Sequence, residues 1–238
     1  LSKLDPREWE SMATMIRALA QRLGVSLRDD LLASLGPEYA MYAAFPGQAV
    51  IPDAGLLIQV RDASRVKEIL GAITEEYAGD MRIGKLESDG HLLRYLDLGS
   101  LGLRYGELPP LKPTWVFVQD YLLITPWPQA AKNLLRGIAR STPRLAERPD
   151  FTALRKRLRR ENPQLGKAGL VYLDLKGLTG FLLANGIPLV QSLVPSGITP
   201  LDMARLPTAE VVTRHLFGIV GGSHWTEHGG YAEYYSPS

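Results

Sequence analysis

The sequence predicts an α+β fold: an antiparallel sheet built from hairpins and strand–helix units, with helices packed on it. Three observations carry that prediction. Apolar or alternating segments of strand length recur along most of the chain. Adjacent segments are joined by tight-turn residues, which implies antiparallel pairing. Helical periodicities opened by capping residues lie between them, without the regular alternation of a doubly wound parallel sheet. The 238 residues are 45% hydrophobic and 22% charged, enough to build a core, and a single α+β domain over 1–238 is expected.

The opening reads as helix. Asp5 is placed to cap the free amides, and Pro6 takes the first helical position, where its missing N–H costs nothing. Trp9, Met12, Ile16, Leu19 and Leu23 recur at three- and four-residue spacing until Gly24 stops the run. Ser26 predicts a second cap, with Leu27, Leu31, Leu32 and Leu35 in a short helix ended by Gly36. The period then changes. Strands are predicted over roughly 38–45, 55–61, 81–87, 91–97, 115–118, 121–125, 168–174, 217–225 and 231–235.

Three pairs of these read as hairpins. Ser88-Asp89-Gly90 separates two alternating segments, and Asp-Gly readily takes positive φ. Gln119-Asp120 separates Trp115–Val118 from Tyr121–Ile124, and His228-Gly229-Gly230 separates the last two strands. A weak internal repeat also aligns residues 55–73, 120–138 and 169–187 without gaps. Each is an apolar strand, a capping Asp or Thr near its end, and a helical stretch.

The segments LLASLGPEYAMYAAFP (31–46), AGLLIQVRDASRVKEIL (54–70), PTWVFVQDYLLITPWPQAAKNLL (113–135) and LPTAEVVTRHLFG (206–218) resemble the uncharacterised bacterial family called domain of unknown function 3352. The resemblance spans most of residues 30–220 and rests on apolar patterns and turn placement. It implies a fold and a cell-envelope setting, periplasmic or extracellular, and carries no functional residues across. A chain starting at Leu1 reads as an excised part of a longer protein, and no basic-then-apolar signal segment precedes the first helix. No apolar run approaches the roughly 18 residues of a membrane span.

Composition removes several chemistries together. With no cysteine, disulfides, zinc-thiolate sites, iron–sulfur clusters and thiol nucleophiles are excluded. Several enzyme signatures then fail on inspection. His224-Trp225-Thr226-Glu227-His228 matches H-x-x-E-H, whose zinc chemistry needs both histidines one helical turn apart. Glycine pairs flank it on both sides and disfavour a helix. In a strand the two imidazoles would lie roughly 13 Å apart, too far for one zinc. Residues 79–86 nearly spell a P-loop, but Leu86 replaces the magnesium-binding hydroxyl, and a helix precedes the motif where a strand should. Gly99-Ser100-Leu101-Gly102 is one residue short of a nucleophile elbow. Asp62 and Asp174 near strand ends are explained by helix capping. No catalytic residue, metal ligand or cofactor is assigned.

Two features point to binding. Residues 132–167 hold eleven Lys or Arg against three acids, a net +8 in a chain whose total is +2. Within them Arg155, Lys156, Arg157, Arg159 and Arg160 fall on a predicted helix capped by Asp150 after Pro149. Its apolar stripe, Phe151, Leu154 and Leu158, turns the cations outwards. They are candidate contacts for an anionic membrane surface or an acidic partner. Nucleic acid is disfavoured, because no aromatics interleave them. Next door, Gly177–Leu201 has no charged residue, and its glycines and prolines break any spanning helix. Phe181, Leu182, Ile187, Leu189, Val190 and Leu193 are its candidate ligand or interface residues, for an apolar ligand or a protein partner. The expected function is therefore a non-catalytic extracytoplasmic binding or interaction module. The alternative is a hydrolase whose site is assembled from residues distant in sequence.

Overall fold

The computed structural model describes residues 10, 14, 17, 18, 20–45, 52–76, 82–98, 111–140, 144–164, 169–186, 208–227 and 229–236. The chain divides into two compact units, Leu1–Ala43 with Asp53–Arg140 and Ala44–Pro52 with Ser141–Ser238. The fold is α+β. In the first unit β1 (Leu35–Ala44), β2 (Asp53–Val60), β3 (Arg82–Ser88), β4 (His91–Asp97), β5 (Thr114–Val118) and β6 (Tyr121–Thr125) form one sheet, in the order β1-β2-β6-β5-β4-β3. In the second, β7 (Gly169–Asp174), β8 (Gly218–Thr226) and β9 (Gly229–Tyr235) form a three-stranded sheet in chain order.

Local chemistry explains the hairpins. Asp89 and Gly90 both take positive φ, 49° and 75°, the twist that a two-residue turn between β3 and β4 needs. Gln119 takes φ 52° at the turn from β5 to β6. The last hairpin differs from the prediction: Thr226 pairs with Gly229, so Gly229 and Gly230 belong to β9 rather than to the turn.

Helix starts were mostly legible. Of the opening helix, Glu10, Thr14, Arg17, Ala18 and 20–22 are helical, while Asp5, Pro6, Trp9, Met12, Ile16 and Leu19 lie outside the described residues. Gly24 ends it at φ 63°, and the Val25 N–H reaches back to the Ala20 carbonyl at 2.9 Å. Ser26 caps α1 (Leu27–Leu32), a π-helical turn, by accepting from the Asp29 N–H. Leu35 and Gly36 do not close this helix as expected; they open β1. There the Gln59 side chain lies over Gly36, in the space a Cβ would take.

Asp62 accepts from the Arg65 N–H at 2.9 Å and so caps α2 (Ala63–Glu76). Thr125, the matching position of the repeat, is no cap. Its hydroxyl donates to the Trp127 carbonyl, and α3 (Pro128–Ala139) starts on proline at its first turn. Nor does Asp150 cap α4 (Pro149–Glu161). Arg148 is the cap residue, and the Asp150 carboxylate turns to side-chain partners. Asp174 does cap α5 (Leu175–Phe181), accepting from the Gly177 N–H; a π-helical stretch, Leu182–Gly186, continues it. Thr208 caps the short α6 (Ala209–Thr213).

Alternation buries both faces of the six-stranded sheet. On one face Leu93, Val116, Val118 and Leu123 meet Ala131 and Leu135 of α3. On the other, Trp115 and Leu122 meet Val66 of α2, with Phe117, Ile124 and Leu70 packed alongside. In the second unit Phe151, Leu154 and Leu158 of α4 pack on Val220, Tyr172 and Tyr235. Phe151 meets the Tyr172 ring edge-on, 5.3 Å between centroids.

Candidate functional site

Strand parity and register assemble the site. In β5, Trp115 and Phe117 point to the α2 face while Val116 points to α3. Pairing places Arg94 directly opposite Trp115, so Arg94 shares the α2 face. Four successive antiparallel steps make β2 and β3 run the same way, and α2 lies between them in sequence. Beside the helix, between α2, β4 and β5, lies a cleft of about 370 Å³. Its volume falls in the range of small-molecule sites.

The lining is cationic and aromatic. Trp115, 9% exposed, forms part of the base. Lys67 and Leu70 project from α2, Arg94 from β4, Phe117 from β5. The Lys67 ammonium stands 5.1 Å from the centre of the Phe117 ring, a cation–π contact that fixes it at the rim. Among the described residues neither Lys67 nor Arg94 forms an ion pair, and no carboxylate or hydroxyl side chain lines the cleft. His91, from the start of β4, has Nδ1 2.9 Å from the Asp89 carbonyl. That partner only accepts, so Nδ1 carries the hydrogen. Chemically, the site offers two cations, an imidazole and flat apolar surface.

The residues singled out by sequence lie elsewhere. Phe181, half-buried, meets the Phe45 ring at a tilt, 5.0 Å between centroids, and Leu182 is exposed. Ile187, Leu189, Val190 and Leu193 lie outside the described residues. On α4, Lys156, Arg159 and Arg160 are exposed and Arg155 is half-buried. Arg157 is drawn back instead: its Nε donates to Glu161 at 2.9 Å, and its guanidinium lies 5.7 Å from the centre of the Tyr235 ring. His224 of the H-x-x-E-H match sits in β8 opposite Tyr231, on a strand and not on the helix that zinc chemistry requires.

The densest ion cluster of the second unit surrounds Arg148. It donates to Asp150 and, at 2.9 Å, to Asp174, while the Tyr172 hydroxyl donates to Asp150 at 2.7 Å. The Arg148 guanidinium, then the Tyr172 hydroxyl, hold the Asp150 carboxyl well below the usual carboxylate range against its partial burial. Burial first, and the hydrogen bond to Asp150 second, push the Tyr172 hydroxyl up. Every member has its partner inside the cluster, which joins α4, β7 and the start of α5. It is a clamp between elements rather than an open site.

Comparison with family models, with curated proteins and with solved structures found no match to this chain.

Proposed function

We propose that this chain is a non-catalytic binding module whose six-stranded unit holds a small organic anion with a flat apolar part. The observation that carries the reading is the cleft, where Lys67 and Arg94, without ion-pair partners among the described residues, border Trp115 and Phe117. A cation beside an apolar wall favours a ligand that combines a carboxylate, sulfonate or phosphate with a ring. Among the described residues, nothing in the lining resembles a nucleophile paired with a base, so binding is favoured over hydrolysis. The cell-envelope setting belongs to the same proposal and rests on the family resemblance.

Calorimetric titration with 1-naphthoate, using neutral naphthalene as comparator, tests this reading. Naphthoate should bind and naphthalene should bind more weakly. Arg94→Gln should weaken naphthoate roughly tenfold or more, since a charge-assisted hydrogen bond contributes about 1.5–3 kcal/mol. Absence of naphthoate uptake by the folded wild type, or uptake indifferent to Arg94→Gln, would sink it.

A further inference from the structure

We propose that the outward face of α4 is an electrostatic docking surface for an anionic lipid bilayer. The orientation of the helix is fixed by its core side. Phe151, Leu154 and Leu158 are buried against β7, β8 and β9 residues. At about 100° per residue, Lys156 and Arg160 fall on the opposite side and Arg159 beside them. All three are exposed, and the Arg160 side chain is 77% exposed.

The two acids of α4 do little to neutralise that face. Asp150 is taken by Arg148 and Tyr172. Glu161 accepts from Arg157 and lies 3.6 Å from Arg160, its longer and weaker contact. Arg155, Lys156 and Arg159 form no ion pair among the described residues. Arg159 and Arg160 stand in the last helical turn, where the helix dipole favours cations. Arg155 and Lys156 have no such reason to be basic. Lys156 with Arg159 and Arg160, and Arg155 with Arg159, are like charges at helix-neighbour spacing, which disfavours the isolated helix. A plane of negative charge relieves the repulsions among Lys156, Arg159 and Arg160 at once.

The shape of the face chooses among polyanions. It is a convex helix surface whose remaining outward positions are Pro149 and the small Thr152 and Ala153. It offers no aromatic platform for stacked bases and no groove for a peptide. The apolar stripe of α4 is spent on its own core, so the helix has nothing to insert into acyl chains. Contact is therefore purely electrostatic and must be salt-sensitive.

Vesicle co-sedimentation of the full chain tests the proposal, using phosphatidylcholine with and without phosphatidylglycerol at low and high salt. Wild type should bind the phosphatidylglycerol vesicles at low salt, leave them at high salt, and ignore pure phosphatidylcholine. Lys156→Gln with Arg160→Gln should lower the partition coefficient roughly 30-fold, from the free energy each basic residue gains near an anionic surface. The charge-matched control Arg28→Gln with Arg61→Gln should lower it far less. Binding that survives high salt, equal losses in both double variants, or no binding at low salt would overturn the proposal. So would preference for a single-stranded oligonucleotide competitor over the vesicles, which would reassign the face to nucleic acid.

Discussion

Arg148 holds Asp150 in a two-pronged grip: Nε donates to Oδ1 at 3.1 Å and Nη2 to Oδ2 at 2.8 Å. The pair is two residues apart in sequence, yet its free Nη1 reaches Asp174 at the end of β7, so one guanidinium ties α4 to the three-stranded sheet. Sequence reading gave Asp150 to the helix cap. Pro149 opens the helix and leaves Arg148 at the cap position, so the Asp150 carboxylate lies inside the first turn and pairs with Arg148 instead.

A pH dependence follows from this grip. The folded Asp150 carboxyl titrates below its unfolded value of about 3.9. Its contribution is thus complete above about pH 5 and drains away as pH falls through the folded titration. With side chains 41% and 39% exposed, solvent screening keeps it modest, about 1 kcal/mol. Arg148→Met should lower urea stability by about that much at pH 7, and by less at pH 3. An equal loss at both pH values would show that packing rather than charge is responsible.

A second device recurs through both sheets: tyrosine rings lie across glycines of a neighbouring strand. Gly84 pairs with Tyr95, and Gly221 pairs with Tyr234. In each pair a Cβ added to the glycine would fall inside the tyrosine ring. Gly84→Ala should therefore cost about 1–3 kcal/mol, the usual range for overpacking. The double variant with Tyr95→Ala should recover part of that loss. Additive losses in the double-mutant cycle would refute the contact.

Tyr42 of β1 crosses Gly55 in the same way, but its hydroxyl is buried and makes no hydrogen bond among the described residues. Burial first, then the charge of Asp53, pushes it up to about 12. Folding keeps the phenol neutral, so its effect on stability is level below the unfolded value of about 10, and stability falls as pH rises from there through about 12. Tyr42→Phe should therefore unfold less steeply in alkali than wild type. At neutral pH it should be unchanged or more stable by about 1 kcal/mol, because an unsatisfied buried hydroxyl is removed. A clear neutral-pH loss would mean that the hydroxyl has a partner after all.

These glycine–tyrosine pairs mark where the sequence stopped being legible. Strands such as His91–Asp97 and Tyr121–Thr125 were read residue for residue, since alternation and an Asp-Gly turn are local signals. Gly36 reads locally as a helix stop, yet it lies in β1 beneath the Gln59 side chain, a neighbour twenty-three residues away that no local pattern announces. The cleft was missed on the same ground. The alternation of β5 already put Trp115 and Phe117 on one face, but only the register Arg94↔Trp115 brings a cation to them. Charge clustering drew the eye to α4 instead, where the basic residues are adjacent in sequence.

Burial separates the apolar residues that α4 and the uncharged segment present. Leu158 is 1% exposed and packs in the cluster around Val220, so Leu158→Ala should cost about 2–5 kcal/mol. Leu182, where the π-helical stretch continues α5, is 53% exposed. Leu182→Ala removes little buried surface and should stay within about 0.5 kcal/mol of wild type. Phe181, half-buried against Phe45, should fall between them. Chemical denaturation of the three variants reads the order directly. A Leu182 loss as large as that at Leu158 would mean that its side chain is covered in the folded chain, and would move the start of the uncharged segment from surface to core.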